Sequence, residues 1–190
     1  SEFTDSGYEM TAGTLATGDA IDSVQVTGTI TDMGSVDNVV GAVIIKHSGT
    51  DVTENYVITK TNGTLTISAI EIELTANSAS RKYNGTALTD SGYSVTSGAF
   101  VGSEGLASVM VIGSQLFVGS SANTITGHTL KGGTNADNYV ITYVDGTLTV
   151  ERASIAITVE SNSASRVYNG SEFTDSGYEM TAGTLATGDA

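Results

Sequence analysis

The sequence predicts an all-β chain built from tandem units of 85 residues. Residues 1–20 (SEFTDSGYEMTAGTLATGDA) return letter for letter as residues 171–190, and shorter matches such as TDSGY also recur at half of that spacing. Alternating β-branched and aromatic residues fill most of each period, which is typical of strands. The 23 glycines and the lack of a sustained helical apolar pattern oppose helices. Arrays of such units usually supply length or multivalency rather than chemistry.

The predicted strands come in pairs, one member in each period. Alternation of apolar and polar residues, rich in Val, Ile and Thr, predicts a strand because it turns one apolar face toward a core. The strands predicted in this way span residues 23–28 and 108–113, 39–46 and 123–131, and 70–76 and 155–161. Helix is expected only as a short turn near residues 19–23 and near residues 104–108.

Each period also contains a segment that predicts a β-hairpin. Residues 56–67 read YVITKTNGTLTI, and residues 139–150 read YVITYVDGTLTV. The central Asn-Gly and Asp-Gly pairs favour positive φ at two successive positions, as a two-residue type I′ turn requires. We therefore expect both segments to fold back on themselves.

The repeat divides the chain into one complete unit and two partial ones. Residues 1–69 form a partial repeat that lacks its first strand, residues 70–154 form a complete repeat, and residues 155–190 are the opening third of a further repeat. Only residues 151–154, without Pro or Gly, separate the last strand of one unit from the first strand of the next. A flexible linker would be longer and rich in Gly and Ser, so we expect a stiff junction and a rod.

The charge balance excludes several classes of partner. The chain carries 21 acidic and 7 basic residues, a formal net charge of −14. Nucleic acid and anionic membranes are disfavoured because no basic patch is available to neutralise phosphates. No run approaches the roughly 18 apolar residues of a membrane-spanning helix. The absence of Cys excludes disulfides and thiolate metal sites.

The motifs of the central unit resemble a known class of repeats. In order, they are YNG, ALTDSGYSVTSG, LASVMVIGS, SANTITG and NADNYVITYVDGTLTV. This order resembles the MBG/YDG repeats of long bacterial surface proteins and adhesins, over residues 81–150 and both partial units. The resemblance implies an extracellular location at the bacterial cell surface and a small β-sandwich or β-grasp-like unit, stacked between an anchor and a distal binding region. It brings no catalytic residues and no cofactor.

Candidate metal ligands are few. His47 and His128 do not align at either repeat offset, so a repeated metal site is not expected from them. Two oxygen-rich groups could hold Ca²⁺, namely Asp51, Glu54 and Asn55, and Asn135, Asp137 and Asn138. Neither group has the spacing of an EF-hand, and turn-forming Asx residues before the NYVIT strand explain the same letters. We therefore predict no metal site.

Aromatic residues and Asn-Gly triplets recur in register. The recurring tyrosines are Tyr8, Tyr93 and Tyr178, then Tyr83 and Tyr168, then Tyr56 and Tyr139. Such rows could bind glycans, but repeated aromatics in a small β unit more often fill its core. Asn62, Asn84 and Asn169 each begin an Asn-Gly-Thr/Ser triplet, formally a glycosylation acceptor, for which a turn role suffices. No catalytic motif is present, so an enzyme is not expected.

These observations predict an acidic structural protein. The expected role is a structural repeat of an extracellular bacterial fibre or adhesin stalk, which gives length and rigidity. Because residues 1–69 lack an opening strand that residues 155–170 could supply, copies could assemble head to tail into a filament by strand complementation. The same ends are expected for a piece cut from an endless array. The alternative function is a multivalent repeat that binds glycan or mucin weakly per unit and strongly by avidity.

Overall fold

The computed structural model describes residues 2–154 and 156–190. In these residues the chain forms β-strands joined by turns and loops, with two single-turn 3₁₀ helices at Thr53–Asn55 and Ala136–Asn138. The predicted fold class, all-β, is confirmed. Among the described residues, no helix has the length and the apolar character needed to cross a membrane.

The chain divides into two compact units. The first unit contains Ser1–Glu71 and Asn135–Val140, and the second contains Ile72–Thr134 and Ile141–Ala190. The boundaries pass through two strands, which begin at Ile70 and at Tyr139.

A long central strand organises the first unit. Its strands are β1 (Asp19–Thr27), β2 (Gly34–His47), β3 (Thr50–Asp51) and β4 (Gly63–Ile67). The second half of β2 pairs antiparallel with β1 and β3, and its first half pairs antiparallel with β4. Ile45 and Leu65 are the buried apolar side chains of these strands. Since β2 has 14 residues, one strand can serve both pairings.

A two-residue turn joins β2 to β3. Ser48 and Gly49 both have positive φ, at 47° and 90°, and His47 pairs with Thr50 across the turn. This is the backbone signature of a type I′ hairpin, which the right-handed twist of two paired strands favours.

Three sheets make up the second unit. Its strands are β5 (Ile70–Ala76), β6 (Ala79–Lys82), β7 (Tyr93–Ser97), β8 (Leu106–Ile112), β9 (Gly119–Leu130), β10 (Tyr139–Val144), β11 (Gly146–Glu151), β12 (Thr158–Ser161) and β13 (Tyr178–Ala182). The sheet orders are β10-β5-β7, β6-β11-β9-β8 and β12-β13. All pairings with a known register are antiparallel except the parallel pair of β6 with β11.

The core of the second unit draws on two of these sheets. Ile72, Leu74 and Ala76 alternate along β5 and are buried, as are Leu148 and Val150 on β11. Full burial of one such side chain stabilises a fold by about 1.5–3 kcal/mol. Alternation with period two therefore places the apolar face of β5 on the inside.

Most predicted strands are confirmed, and one falls partly outside the description. The predictions at residues 23–28, 39–46, 70–76, 108–113 and 123–131 coincide with β1, β2, β5, β8 and β9 to within a few residues. Of the prediction at residues 155–161, residue 155 lies outside the described residues, and β12 covers Thr158–Ser161.

The predicted hairpins at Asn62-Gly63 and Asp145-Gly146 are wrong. Residues 56–62 form no strand, and β10 and β11 belong to different sheets rather than pairing with each other. Neither dipeptide has positive φ. A Cβ atom on Gly146 would lie 2.1 Å from the carbonyl oxygen of Asn77, so this glycine permits a close backbone approach instead of a turn.

The predicted helical turns are also wrong. Residues 19–23 belong to β1, and residues 106–108 belong to β8. A turn does occur slightly earlier, where the N–H of Asp19 donates to the carbonyl of Ala16 at 3.0 Å. Cross-strand pairing of Asp19 with His47 overrides the local preference for a turn.

Candidate functional site

Pairings in the first unit have counterparts in the second. Phe3 and Ile30 form an isolated antiparallel bridge, and Leu88 and Gln115 form the same bridge 85 residues later. The β1–β2 pair corresponds to β8–β9 in the same way, and the β2–β4 pair corresponds to β9–β11. The two sets can therefore be compared position by position.

The comparison shows a set of pairings that the first unit lacks. We define the open edge as the outer side of β4 together with residues 8–12 and residues 56–62. β11, the counterpart of β4, lies between β9 and β6, whereas β4 pairs with β2 alone among the described strands. A sheet edge presents unpaired N–H and C=O groups that a further strand can bind.

Residues 8–12 are the second part of the open edge. Their counterparts β7 and β13 pair antiparallel with β5 and β12, but residues 8–12 belong to no strand. Tyr8 and Met10 are exposed there. In the 190-residue sequence, the counterpart of β5 for this unit would precede residue 1, so these five residues have no partner strand of that kind.

Residues 56–62 complete the open edge. Their counterpart β10 pairs with β5 in the second unit. Gly63, at the end of this segment, is exposed, whereas the equivalent Gly146 is buried against the backbone of residues 76 and 77. A Cβ atom on Gly63 would meet nothing closer than 3.7 Å, at Asn38 Cβ. The space that β5 and the following loop occupy in the second unit is thus open beside Gly63.

Two buried asparagines occupy equivalent positions beside this space. In the second unit, Asn123 Nδ2 donates to the carbonyl of Asn77 at 2.9 Å, and in the first unit Asn38 Nδ2 donates to the carbonyl of Asp5 at 2.9 Å. Both Oδ1 atoms are buried without a hydrogen-bond partner among the described residues. Asp5 therefore stands in for the missing counterpart of Asn77. A groove of about 540 Å³ lies between the segment that carries Asp5 and the end of β1.

The other end of the chain carries an unused strand of the matching kind. Ile157 and Val159 are 48% and 54% exposed, whereas their counterparts Ile72 and Leu74 are 1% and 0% exposed. Residues 162–170 form no strand, although their counterparts include β6, which pairs with β11. The chain thus contains an edge without a strand and a strand without a core.

A polar cluster fixes the start of β1. Tyr56 Oη donates to Asp19 Oδ2 at 2.5 Å and accepts from the N–H of Ala16 at 3.0 Å, and His47 Nδ1 lies 2.5 Å from Asp19 Oδ1. The hydrogen bond from Tyr56, followed by that from His47, lowers the pKa of Asp19 below its ordinary value. The same bond to Asp19 raises the pKa of Tyr56. The cluster joins three segments and is structural.

The first oxygen-rich group forms a turn. Asp51 Oδ1 accepts from the N–H of Thr53 at 2.9 Å and from its hydroxyl at 2.6 Å, which lowers the pKa of Asp51. This bonding pattern opens the 3₁₀ helix Thr53–Asn55. Glu54 and Asn55 are exposed.

The second oxygen-rich group is bonded in the same way. Asn135 Oδ1 accepts from the N–H of Asp137 at 3.2 Å. Asn138 Nδ2 donates to Asp32 Oδ1 at 2.8 Å, and Asn138 Oδ1 accepts from the N–H of Met33 at 2.7 Å. The bond from Asn138, with a smaller one from Asn135, lowers the pKa of Asp32. Within residues 2–154 and 156–190, no three or more His, Cys, Asp or Glu side chains are grouped to hold a metal ion.

The tyrosine rows divide between core and surface. Tyr139 is buried, as expected of a core residue, but Tyr8, Tyr93 and Tyr178 are exposed, so the core prediction is wrong for this row. Tyr168 is also exposed. Tyr83 Oη donates to Asp189 Oδ1 at 2.7 Å.

The remaining sequence candidates have local partners. Asn84 Oδ1 accepts from the N–H of Thr86 at 3.1 Å, Asn169 Oδ1 from that of Ser171 at 3.2 Å, and Asn62 Oδ1 from that of Val40 at 3.2 Å. His128 Nδ1 lies 2.5 Å from Tyr143 Oη, with the rings in an edge-to-face arrangement.

Sequence reasoning missed the buried asparagines. A signal was present, because Asn38 and Asn123 interrupt strand patterns at the same position of both periods. A polar residue that recurs within an apolar strand indicates a buried hydrogen bond.

The described site offers backbone pairing and apolar burial rather than a cluster for catalysis. The open edge and the spare strand differ from an active site in that their hydrogen-bonding groups belong mainly to the main chain. No family model, no curated protein sequence and no solved structure matches the chain. The resemblance to MBG/YDG repeats therefore stays a prediction from the sequence motifs.

Proposed function

We propose that the chain is a structural segment of an extracellular bacterial fibre or adhesin stalk, in which tandem 85-residue units provide length and rigidity. The observation that carries the proposal is the recurrence of the same pairings one period apart, as in the bridges Phe3–Ile30 and Leu88–Gln115. Repeated units of this kind bury a core with their neighbours and extend in one direction.

Composition supports the same role. A net charge of −14 keeps neighbouring filaments apart, and a Cys-free chain holds itself together by packing alone. Each unit, a small β-sandwich or β-grasp-like fold, adds about 30–40 Å if its strands of about ten residues lie along the rod. The stalk would then hold a distal binding region away from the cell surface.

Head-to-tail strand complementation is the proposed means of assembly. The open edge of the first unit lacks a strand, and residues 156–170 carry one whose apolar side chains are exposed. Such a contact uses different surfaces on its two partners, so it does not close and generates a filament.

Small-angle X-ray scattering on chains of two lengths tests the stalk proposal. The 190-residue chain is compared, at a dilution where it is monomeric, with a chain in which residues 86–170 are present twice. A rod predicts a constant cross-sectional radius of gyration and a maximum dimension that grows by about 30–40 Å. A longer chain that becomes thicker without becoming longer would contradict the proposal.

The exposed tyrosine row favours a second candidate, a multivalent glycan-binding repeat. Tyr8, Tyr93 and Tyr178 are exposed at equivalent positions, and aromatic faces stack on sugar rings. A glycan array probed with the chain and with Tyr93→Ala tests it, with Phe117→Ala as the control because Phe117 is also exposed. Binding that Tyr93→Ala alone weakens would support the adhesive function, and no binding at any copy number would leave the spacer.

A further inference from the structure

We propose that, in the 190-residue chain, residues 156–170 of one copy occupy the open edge of a second copy. Thr158–Ser161 would pair antiparallel with residues 8–12, and residues 164–167 would pair parallel with β4. This inference rests on the proposed stalk function and specifies its junction, namely which segment binds, where, and in which register.

The second unit provides the register. There, Ala79, Ser80 and Arg81 of β6 lie opposite Leu148, Thr149 and Val150 of β11. Transferred by the repeat, Ala164, Ser165 and Arg166 of one copy lie opposite Leu65, Thr66 and Ile67 of the other.

The last copy of the repeat provides the antiparallel half. Within the chain, Val159, Glu160 and Ser161 pair with Met180, Glu179 and Tyr178. Residues 178–182 have the same sequence as residues 8–12. Residues 8–12 of a second copy can therefore make the same pairing with the same donor strand.

Apolar burial favours the exchange. Ile157 and Val159 are about half exposed in the isolated chain, but at the equivalent positions of the complete core Ile72 and Leu74 are almost wholly buried. In the acceptor, Ile67 is only half-buried, whereas its counterpart Val150 is buried. Donation would bury the apolar face of the donor strand against the acceptor.

The buried asparagine of the acceptor fits the donor backbone. In the second unit the N–H of Asn77 donates to Gly92 at 3.0 Å while its carbonyl accepts from Asn123. Asn162, the counterpart of Asn77, already has its N–H bonded to Gly177 at 2.9 Å. Its carbonyl would take the place of Asp5 as the acceptor for Asn38.

The sequence lengths fit the exchange. Residues 155–170 of one copy and residues 1–69 of the next make one complete 85-residue period. Residues 171–190 duplicate residues 1–20, so either copy of this stretch can pair with the donor strand. The donor and acceptor surfaces differ, and the contact repeats from copy to copy without closing.

Gly63→Ala tests the acceptor side. In the isolated chain its Cβ would meet only ordinary contacts, but after donation it would overlap the Asn162 carbonyl, as a Cβ on Gly146 would overlap that of Asn77 at 2.1 Å. Sedimentation of the full chain should show a mass that rises with concentration, and Gly63→Ala should weaken this assembly by at least about 100-fold. Gly132→Ala is the matched control, since nothing lies within 4 Å of its Cβ.

Single cysteines test the register, because the chain has no Cys of its own. Mixing Thr66→Cys chains with Ser165→Cys chains should give a disulfide between copies, since opposed residues of paired strands lie within disulfide reach. Mixing Thr149→Cys with Ser165→Cys should not, because Thr149 already pairs with Ser80.

The outcomes separate the junction from the stalk. Assembly that Gly63→Ala abolishes, together with the Thr66–Ser165 crosslink, establishes the inference. A constant monomer mass at the highest concentration, or assembly without that crosslink, overturns the inference but leaves the scattering test of the stalk untouched. If Gly63→Ala unfolds the chain, the crosslink of the cysteine variants decides alone.

Discussion

The two identical stretches, residues 2–20 and residues 172–190, adopt different structures. Tyr178–Ala182 forms β13 and pairs with β12, whereas the same five residues at 8–12 form no strand. Conversely, Asp19 begins β1, but Asp189 belongs to no strand. One sequence thus gives a strand or no strand according to the partner that is present.

Local structure, in contrast, is the same in every copy. The side chain of Asp5 accepts from the N–H of Gly7 at 2.7 Å, and Asp175 accepts from Gly177 at the same distance. An Asx turn spans two residues and needs no distant partner. Turns here follow from the sequence, and strands follow from the sequence together with a second segment.

The largest expected effect compares one core position in its complete and incomplete settings. Leu74→Ala removes a fully buried side chain of β5 and should lower the free energy of unfolding by about 2–5 kcal/mol. Val159→Ala, at the equivalent position of the last copy, should change it by no more than about 0.5 kcal/mol because Val159 is half exposed. Urea unfolding of dilute chains measures both. Equal losses would show that β12 already has a core in the single chain.

A second test uses the glycines at the two equivalent junctions. Gly146→Ala places a Cβ against the backbone of Ala76 and Asn77 and should cost about 1–3 kcal/mol of unfolding free energy. Gly63→Ala meets only ordinary contacts in the isolated chain and should be neutral or slightly stabilising. The ratio of the two effects in urea unfolding measures how far the first unit is open. A comparable loss at Gly63 would mean that another segment fills the open edge.

These glycines also show where sequence reasoning stopped. Alternation predicted β5 at its observed bounds, Ile70–Ala76, because apolar periodicity reports which face is buried. An Asn-Gly or Asp-Gly pair is ambiguous, since glycine serves both positive φ and close backbone approach. The type I′ hairpin that does occur uses Ser48-Gly49, a pair with a weaker turn preference.

Of the candidate site, the sequence predicted the missing strand but not its receptor. The 170-residue overlap places the gap in the first unit by counting alone. The roles of Asn38 and Asp5 depend on a contact between residues 33 positions apart, which no local pattern specifies. Likewise, the exposure of Tyr8 depends on neighbours that periodicity cannot identify.

A smaller effect should distinguish the first stretch by its acid titration. Asp19 has a lowered pKa in the folded chain, so it contributes stability above the unfolded value of about 3.9, and this contribution is lost as pH falls through the folded value. Tyr56→Phe removes the bond that lowers this pKa most. NMR titration should then show the Asp19 carboxyl titrating closer to its ordinary value. An unchanged titration would assign the shift to His47 instead.

The smallest effect should appear at alkaline pH, where each stretch controls a different tyrosine. Hydrogen bonds to Asp19 and Asp189 raise the pKa values of Tyr56 and Tyr83, respectively. A raised pKa means that the neutral phenol stabilises the fold below about pH 10 and that this stability is lost as pH rises through the folded value. Asp19→Asn should therefore lower the pKa of Tyr56 alone, and Asp189→Asn that of Tyr83 alone, in ring-proton titrations. If either substitution moved both tyrosines, the two identical stretches would not act independently.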